Sequence, residues 1–396
     1  MTRDLRTART GAVLTFVLAG LMCGSMTVRI PALSDKLGLS EGSIGVTLLV
    51  WGLGALVTMQ SMRAVMTRFG SRSILRVGAP LCAATLALLA FAPTFPLLLV
   101  AAGLFGMAFG AVDIAMNAQG SAVERAYGRP LMNGMHAGWC VGAISAGLLG
   151  TAAIAAGLSF TAHLALIALL ALPLLVLISR TYLPDPAVAT GGEARARHRM
   201  PPVVYLLGVI AFCAFMVEGT VADWNGLYLR DVLGAPEALA ALGYPIFEAG
   251  MLLGRLTGDR VRARFGARGM IIASGLATAA TFTVVITAST FLVALSAMFF
   301  VGIAVATVSP MAMSLAGGAV GNPGPAIAQT GAMGYAGLLL GPVIIGFLSD
   351  VATLGTALGI AVVLGVVIAL VARFLPRGLR DSAPAETPER EFSMAA

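Results

Sequence analysis

Ionisable side chains lying inside long apolar runs are the residues of this chain that could do chemistry. Asp113, Asn117 and Glu124 stand at i, i+4 and i+11, on one face of a helix. His136 follows about two turns into the next apolar run. Glu218 lies in a later run, with Asp223, Trp224 and Asn225 near its end, and Glu248 lies in the run after that. Charges in such surroundings are costly and tend to mark ion or solute pathways. A carboxyl in low dielectric can take a proton from one side and release it on the other. Asp113 is the foremost expected proton-handling group, with Glu218 and His136 as further candidates. Arg29, Asn117, Trp139, Asp223, Trp224 and Glu248 are the expected lining of a central cavity. Arg29 could pair with a carboxylate or hold an anion, and the two tryptophans could stack on a ring. Plainer readings stand beside these. Asp113 and His136 could form a buried structural pair between the two helices, and Glu124 could pair with Arg125 or Arg129. Arg29 could snorkel to an interface, and Trp224 could belong to an interfacial belt.

Other catalytic patterns are missing. Lys36 is the only lysine and no glycine-rich loop precedes it, which excludes a P-loop and an intramembrane Schiff base. His136, His163 and His198 are far apart. Cys23, Cys82, Cys140 and Cys213 lack metal-ligand spacing and read as small core residues. Neither a metal, a cofactor nor an enzymatic activity is expected. Energy for active transport would come from an ion gradient.

These residues need apolar elements to hold them, and the composition supplies little else. Mean hydropathy is +0.93, with 58% apolar and 11% charged residues, which excludes an ordinary soluble domain. About twelve stretches approach the ~20 residues that cross a ~30 Å hydrocarbon layer. They are read at 11–33, 42–62, 74–92, 96–119, 131–151, 159–179, 203–224, 239–257, 269–288, 290–315, 326–348 and 353–373. They are too long, and too little alternating, for barrel strands, so an all-α polytopic membrane protein is expected. All basic residues except Arg29, Lys36 and Arg230 flank spans on one side. Basic loops stay cytoplasmic, so both termini are expected inside. The formal charge of +7 is thereby explained by anionic lipid, and nucleic acid is excluded as a partner.

An internal repeat divides the chain. Arg68-Phe69-Gly70-Ser71-Arg72 follows the second span, and Arg264-Phe265-Gly266-Ala267-Arg268 follows the eighth, about half a chain length later. At the same offset Asp223 corresponds to Thr27 and Asn225 to Arg29. The expected units are a six-helix half at 1–179, a polar cytoplasmic linker at 180–202, a second half at 203–375 and a disordered tail at 376–396. Glycines four apart should allow close helix approach, foremost Gly250/Gly254/Gly258, then Gly106/Gly110, Gly138/Gly142 and Gly337/Gly341.

With the repeat in place, the chain resembles the major facilitator superfamily. Members carry Gly-x-x-x-Asp-Arg-x-Gly-Arg/Lys-Arg/Lys between helices 2 and 3, often echoed between 8 and 9. Here Arg68-x-Gly70-x-Arg72 stands, with Thr67 in the Asp position and Arg63 in the first Gly position. The echo reads Gly254-Arg255-Leu256-Thr257-Gly258-Asp259-Arg260, then Arg264-Phe265-Gly266. A narrower resemblance is to a bacterial inner-membrane branch related to fucose permeases. It rests on Asp113-Ile-Ala-Met-Asn117, Arg129-Pro-Leu-Met-Asn-Gly-Met-His136, Glu218-Gly-Thr-Val-Ala-Asp223-Trp224, Tyr228-Leu-Arg-Asp231, Gly334-Tyr335 and Gly341-Pro342. Pro31 matches their helix-1 proline, and Thr27 stands where they place an acid.

The resemblance implies a monomeric secondary transporter in the inner membrane. It would move a sugar-like or small organic solute by alternating access, coupled to protons. It also implies that Arg68, Gly70, Arg72, Gly258, Asp259, Arg260, Arg264 and Gly266 form turns that latch the halves on the cytoplasmic side. Proton-coupled efflux of drugs or metabolites is the alternative within the class. A non-transporting sensor or assembly subunit is the alternative outside it. Reporter fusions after Pro186 and at the C-terminus should both read cytoplasmic; a periplasmic signal at either point overturns the orientation.

Overall fold

The computed structural model describes residues 3–128, 131–184, 200–320 and 323–376, without the side chains of Arg3, Arg63, Ala64, Asn133, Asp259 and Pro323. The expected linker falls largely on 185–199 and the expected tail on 377–396, both outside the described residues.

Every regular element among the described residues is helical. In hydrocarbon no water is available to backbone N–H and C=O groups, and a helix satisfies them within the segment. In chain order the elements are α1 (Arg3–Val28), α2 (Ile30–Leu37), α3 (Glu41–Phe91), α4 (Phe95–Tyr127), α5 (Met132–Ala155) and α6 (Phe160–Ile178). Then come α7 (Pro202–Leu227), α8 (Glu237–Ala240), α9 (Gly243–Thr287), α10 (Phe291–Val305), α11 (Val308–Gly318), α12 (Pro323–Val351) and α13 (Leu354–Ala372). A π turn at Tyr228–Val232 extends α7. Among the described residues, eleven helices are long and apolar enough to cross a membrane. The stretch read at 239–257 is the first limb of α9, and it carries Glu248 and Arg255.

Two expected spans are broken, each at a proline. The first ends at Val28, and the chain restarts as α2 after Arg29, whose ψ of 12° is not helical. Pro31 has no N–H to give to the helical ladder, and Arg29 closes a tight turn onto the Met26 carbonyl at 3.1 Å. The tenth divides into α10 and α11 around Ala306–Thr307. Ala306 is the i−4 residue of Pro310, the carbonyl that a proline ring obstructs.

The two repeat turns are one structure used twice. α3 and α9 each contain two membrane-spanning limbs joined at a single non-helical glycine, Gly70 (φ 72°, ψ 161°) and Gly266 (φ 72°, ψ 159°). That backbone region is essentially reserved for glycine. The neighbouring rings repeat as well: the Arg68 guanidinium sits 5.2 Å from the Phe69 centroid, and Arg264 sits 5.6 Å from Phe265.

Packing follows the same repeat. α1 packs on α5 as α7 packs on α12, and α3 on α4 as α9 on α10. The halves meet mainly through α3 with α12 and α5 with α9. All three glycines of the triple lie against neighbouring helices. A methyl at Gly250 would strike the Phe299 carbonyl, one at Gly254 the Ala306 side chain, and one at Gly258 the Thr307 side chain.

Gly266→Ala should cost about 1–3 kcal/mol through forced positive φ. Its thermal unfolding midpoint in detergent should fall, while Gly269→Ala, where a methyl meets open space, should leave it unchanged. Equal midpoints for the two variants would contradict the turn geometry.

Candidate central site and outer seal

Acidic side chains of each half find partners on the other. On α4, Asn117 Nδ2 donates to the Asp113 backbone carbonyl at 2.8 Å and lies 3.4 Å from its carboxylate Oδ1. Across the interface, the Tyr335 hydroxyl on α12 donates toward the same carboxylate. On α7, Glu218 accepts from Ser309 Oγ at 3.0 Å. On α9, Glu248 is only 7% exposed, and its Oε2 has no hydrogen-bond partner. Its carboxylate nonetheless accepts hydrogen bonds from Cys140 of α5 and Tyr244 of α9.

Arg255 organises this cluster. Its Nη1 donates to Cys140 Sγ at 3.2 Å, crossing from one half to the other. Its charge acts on both Glu218 and Glu248. Sequence reasoning placed Arg255 with the basic residues at the end of the eighth span and gave it no role in the cavity. A signal was available: Arg255 is i+7 from Glu248 and so shares its helix face. Cys140 is likewise more than a small core residue, because its sulfur receives that hydrogen bond. Tyr335, quoted above only within a motif, reaches the carboxylate singled out first.

His136 departs from its expected place. α4 and α5 touch little, because α1 packs against both. The imidazole meets Phe16 of α1 edge-on, 5.1 Å between centroids, and feels the Arg255 charge, so it is no pair for Asp113. It is exposed, one turn from the arginine-rich end of α5. Glu124 is not held by an arginine in the described structure; its Oε2 accepts from the Leu131 and Met132 N–H groups at 2.6 and 2.9 Å, capping the start of α5.

Aromatic side chains of α3, α4, α5, α7 and α12 pack on one another. Trp139 lies 5.8 Å from Phe109, and Phe109 lies 6.2 Å from Trp51. Tyr335 stacks on Phe215 at 5.8 Å. Trp224 is 0% exposed, so it is neither a belt residue nor an open stacking surface. Asp223 is 7% exposed, deeper than Glu218 along α7 toward the opposite end.

Arg29 lies outside the central cluster. It is buried at the helix break, donates through Nη2 to the Leu158 carbonyl at 3.0 Å, and borders a separate cavity of about 400 Å³ with Asp35, Lys36 and Glu237. That cavity is at the end remote from the arginine-rich turns.

The same remote end is sealed by contacts between the halves. Arg230 Nη1 meets Asp35 Oδ2 at 2.6 Å, and Arg230 Nε meets Asp231 at 2.6 Å. Asp350 receives the Gly42 N–H at 3.2 Å, at the positive start of α3. Pro245 packs onto Gly147 and Pro31 onto Gly226. At the arginine-rich end, Arg268 donates to the Arg373 carbonyl at 2.6 Å within its own half. Gly258 packs on Thr307, Arg260 is exposed, and the Asp259 side chain lies outside the described residues. The expected latch role of these turns thus gains no inter-half contact from Arg68 or Arg264, whose rings are their own neighbours Phe69 and Phe265.

Two helical lobes around a polar centre, sealed at one end, define a polytopic membrane transporter. A profile described as Major Facilitator Superfamily matches residues 12–328, and the chain belongs to that family, whose members are transporters and not enzymes. It is 32% identical over 379 residues to an uncharacterized transporter of Sinorhizobium fredii, covering 94% of this chain and 99% of the relative. It is 31% identical over 372 residues to an uncharacterized MFS-type transporter of Yersinia pestis, covering 92% and 94%. Among solved structures it is similar to a mutant of the nucleoside transporter NupG, with TM-score 0.75, 16% identity and coverage of 94% and 99%. A bacterial Spinster homologue in an inward-facing, unoccupied conformation gives TM-score 0.74 at 14% identity, covering 94% and 96%. FucP in the outward conformation gives 0.64 at 18% identity, covering 94% and 99%.

An exposed ion pair such as Arg230–Asp35 contributes about 0.2–1 kcal/mol, so its loss changes a two-state ratio by a factor of up to about five. Spin labels at Thr94→Cys and Ser289→Cys, in the outer loops of the two halves, should show a larger long-distance population with Asp35→Asn. An unchanged distance distribution would show that the pair does not hold the seal.

Proposed function

We propose that this protein is a proton-coupled secondary transporter of a small polar solute in a bacterial cell membrane, with its arginine-rich face in the cytoplasm. The observation that carries the reading is the central cluster shared by the two halves, with Asp113 meeting Tyr335 and Arg255 meeting Cys140 across the interface. Groups so placed change partners whenever the halves rock, which is what alternating access requires. In this reading the sealed end is periplasmic, and His136 and Arg255 face the cytoplasmic opening.

The acids divide the work. Asp113 couples transport to protons, with Glu218 next in line. Its hydrogen-bonding neighbour Tyr335 belongs to the other half, so opening the cavity removes a donor from the carboxylate and changes its hold on a proton. Glu248, Asn117 and Trp139 line the solute site. Arg29, Asp223 and Trp224 belong to the outer gate and contribute to the cavity only when that end opens.

Asp113→Asn copies the protonated acid in shape. In proteoliposomes it should keep solute exchange within about twofold and lose accumulation driven by an imposed pH gradient, a drop of at least about tenfold. Undiminished accumulation would remove Asp113 from coupling and leave Glu218→Gln as the variant to make.

A further inference from the structure

We propose that the cavity of about 400 Å³ at the end remote from the arginine-rich turns is a binding site for a small oxyanion, a carboxylate or phosphate group, held by Arg29, Lys36 and the start of α6. This site is separate from the central one and would stand if the transporter reading failed.

The arginine is the first ground. Arg29 borders the cavity yet is only 3% exposed. It stands at the break between α1 and α2, where Pro31 keeps the helix from continuing. Its Nη2 donates to the Leu158 carbonyl at 3.0 Å, while Nε and Nη1 have no acceptor. Buried polar groups are nearly always satisfied, and an exception calls for a partner. The carboxylates that border the same cavity do not provide one. Asp35 has both oxygens on Arg230, at 2.6 and 3.2 Å. Glu237 forms neither a hydrogen bond nor an ion pair with Arg29. A guanidinium fork with donors to spare matches the oxygens of a carboxylate or phosphate.

The start of α6 is the second ground. Leu158 precedes Ser159, the N-cap of α6, so its bond to Arg29 sets the guanidinium at that helix end. Ser159 Oγ accepts from the Ala162 N–H at 3.1 Å, and its carbonyl accepts from the His163 N–H at 3.0 Å. The Phe160 and Thr161 N–H groups have no carbonyl within the helix to receive them. Ser159, Phe160 and Thr161 all border the cavity. The start of this 19-residue helix carries partial positive charge, and free N–H groups in that position bind oxyanions.

Lys36 is the third ground. Its Nζ donates to the Ala90 carbonyl at 2.8 Å, and Thr161 Oγ1 donates to the same carbonyl at 2.9 Å. The ammonium also lies 5.5 Å from the centroid of the Phe160 ring. Arg29 and Lys36 are thus each fixed beside the first turn of α6 by a backbone carbonyl, and both border the one cavity. An amine entering there would meet two cations and a positive helix end. An oxyanion supplies the acceptors that Nε and Nη1 lack. Glu237, on the other half, opposes the incoming anion, and its neutralisation should tighten the site.

The test uses the full-length protein purified in uncharged detergent. Its thermal unfolding midpoint is followed at constant ionic strength against inorganic phosphate, acetate and dihexanoyl phosphatidylglycerol. Phosphate stabilises folded proteins in general, so each response is read against Arg29→Gln. At least one of the three ligands should raise the midpoint, with the half-effect concentration at least about tenfold higher in Arg29→Gln, the loss of a charge-assisted hydrogen bond. In Glu237→Gln that concentration should fall. Should Arg29→Gln fail to fold, Ala32→Glu takes its place. Ala32 is a partly buried residue of the cavity wall, and a tethered carboxylate there should abolish the response. A response to phosphate or acetate assigns the site to a soluble anion, and one confined to phosphatidylglycerol assigns it to a lipid headgroup; either supports the site. No response to any of the three, or the same response in the unmodified protein and the arginine or alanine variant, would show that water alone satisfies Arg29 and would overturn the site.

Discussion

Hydrocarbon cannot hydrate an ion, and the architecture of this protein depends on how its few intramembrane charges are compensated. An ion pair broken inside a protein leaves a charge with no solvent, at a cost of about 3–5 kcal/mol. Glu218, Glu248 and Arg255 all lie on the second half, yet the guanidinium completes its contacts on Cys140 of the first. Asp113 does the reverse, lying on the first half and meeting Tyr335 of the second. Each half leaves part of its polar centre to be satisfied by the other. The lobes are held in register by that shared deficit, and a change of charge at the centre alters how they are held.

The two ends of the molecule meet a different requirement. In the proposed transport cycle the closed end has to open reversibly, and such a seal cannot rest on one strong interaction. The closed end uses several modest ones: the exposed Arg230–Asp35 pair, the Asp350 carboxylate on the Gly42 amide, and small-residue packing of Pro245 on Gly147. Each is of a size that ligand binding can offset. The arginine-rich end has rigid glycine turns at Gly70 and Gly266 inside each lobe. They fix pairs of helices within a half, as the proposed rocking of whole halves requires.

Glycine supplies the rest of the fold. Without a hydrophobic driving force between helices in lipid, association depends on close backbone approach and hydrogen bonds. The Gly250, Gly254 and Gly258 series brings α9 against α10 and the α10–α11 break. That approach fixes the limb of α9 that carries Glu248 and Arg255, so small residues on one helix face position the charges on the other.

The sequence by itself determined the helical class and the approximate number and rough ends of the spans, and it singled out a repeated turn and the acids Asp113, Glu218 and Glu248. Those properties follow from local quantities: apolar length, the side on which arginines fall, a repeated Arg-Phe-Gly turn and the expense of an acid in an apolar run. The breaks at Arg29 and Ala306 were also local, written in Pro31 and Pro310, though continuous hydropathy masked them. Only the tertiary structure decided which groups meet. It moved Arg255 from a flanking charge to the centre, turned His136 toward Phe16, withdrew Arg29 to the end remote from the arginine-rich turns and buried Trp224. Partners such as Asp113 and Tyr335 stand on helices far apart in the chain, and no spacing rule reaches across that distance. Their meeting is set by how whole lobes pack, because in lipid the burial of a polar group is settled by the neighbouring helix and not by the residue's own segment.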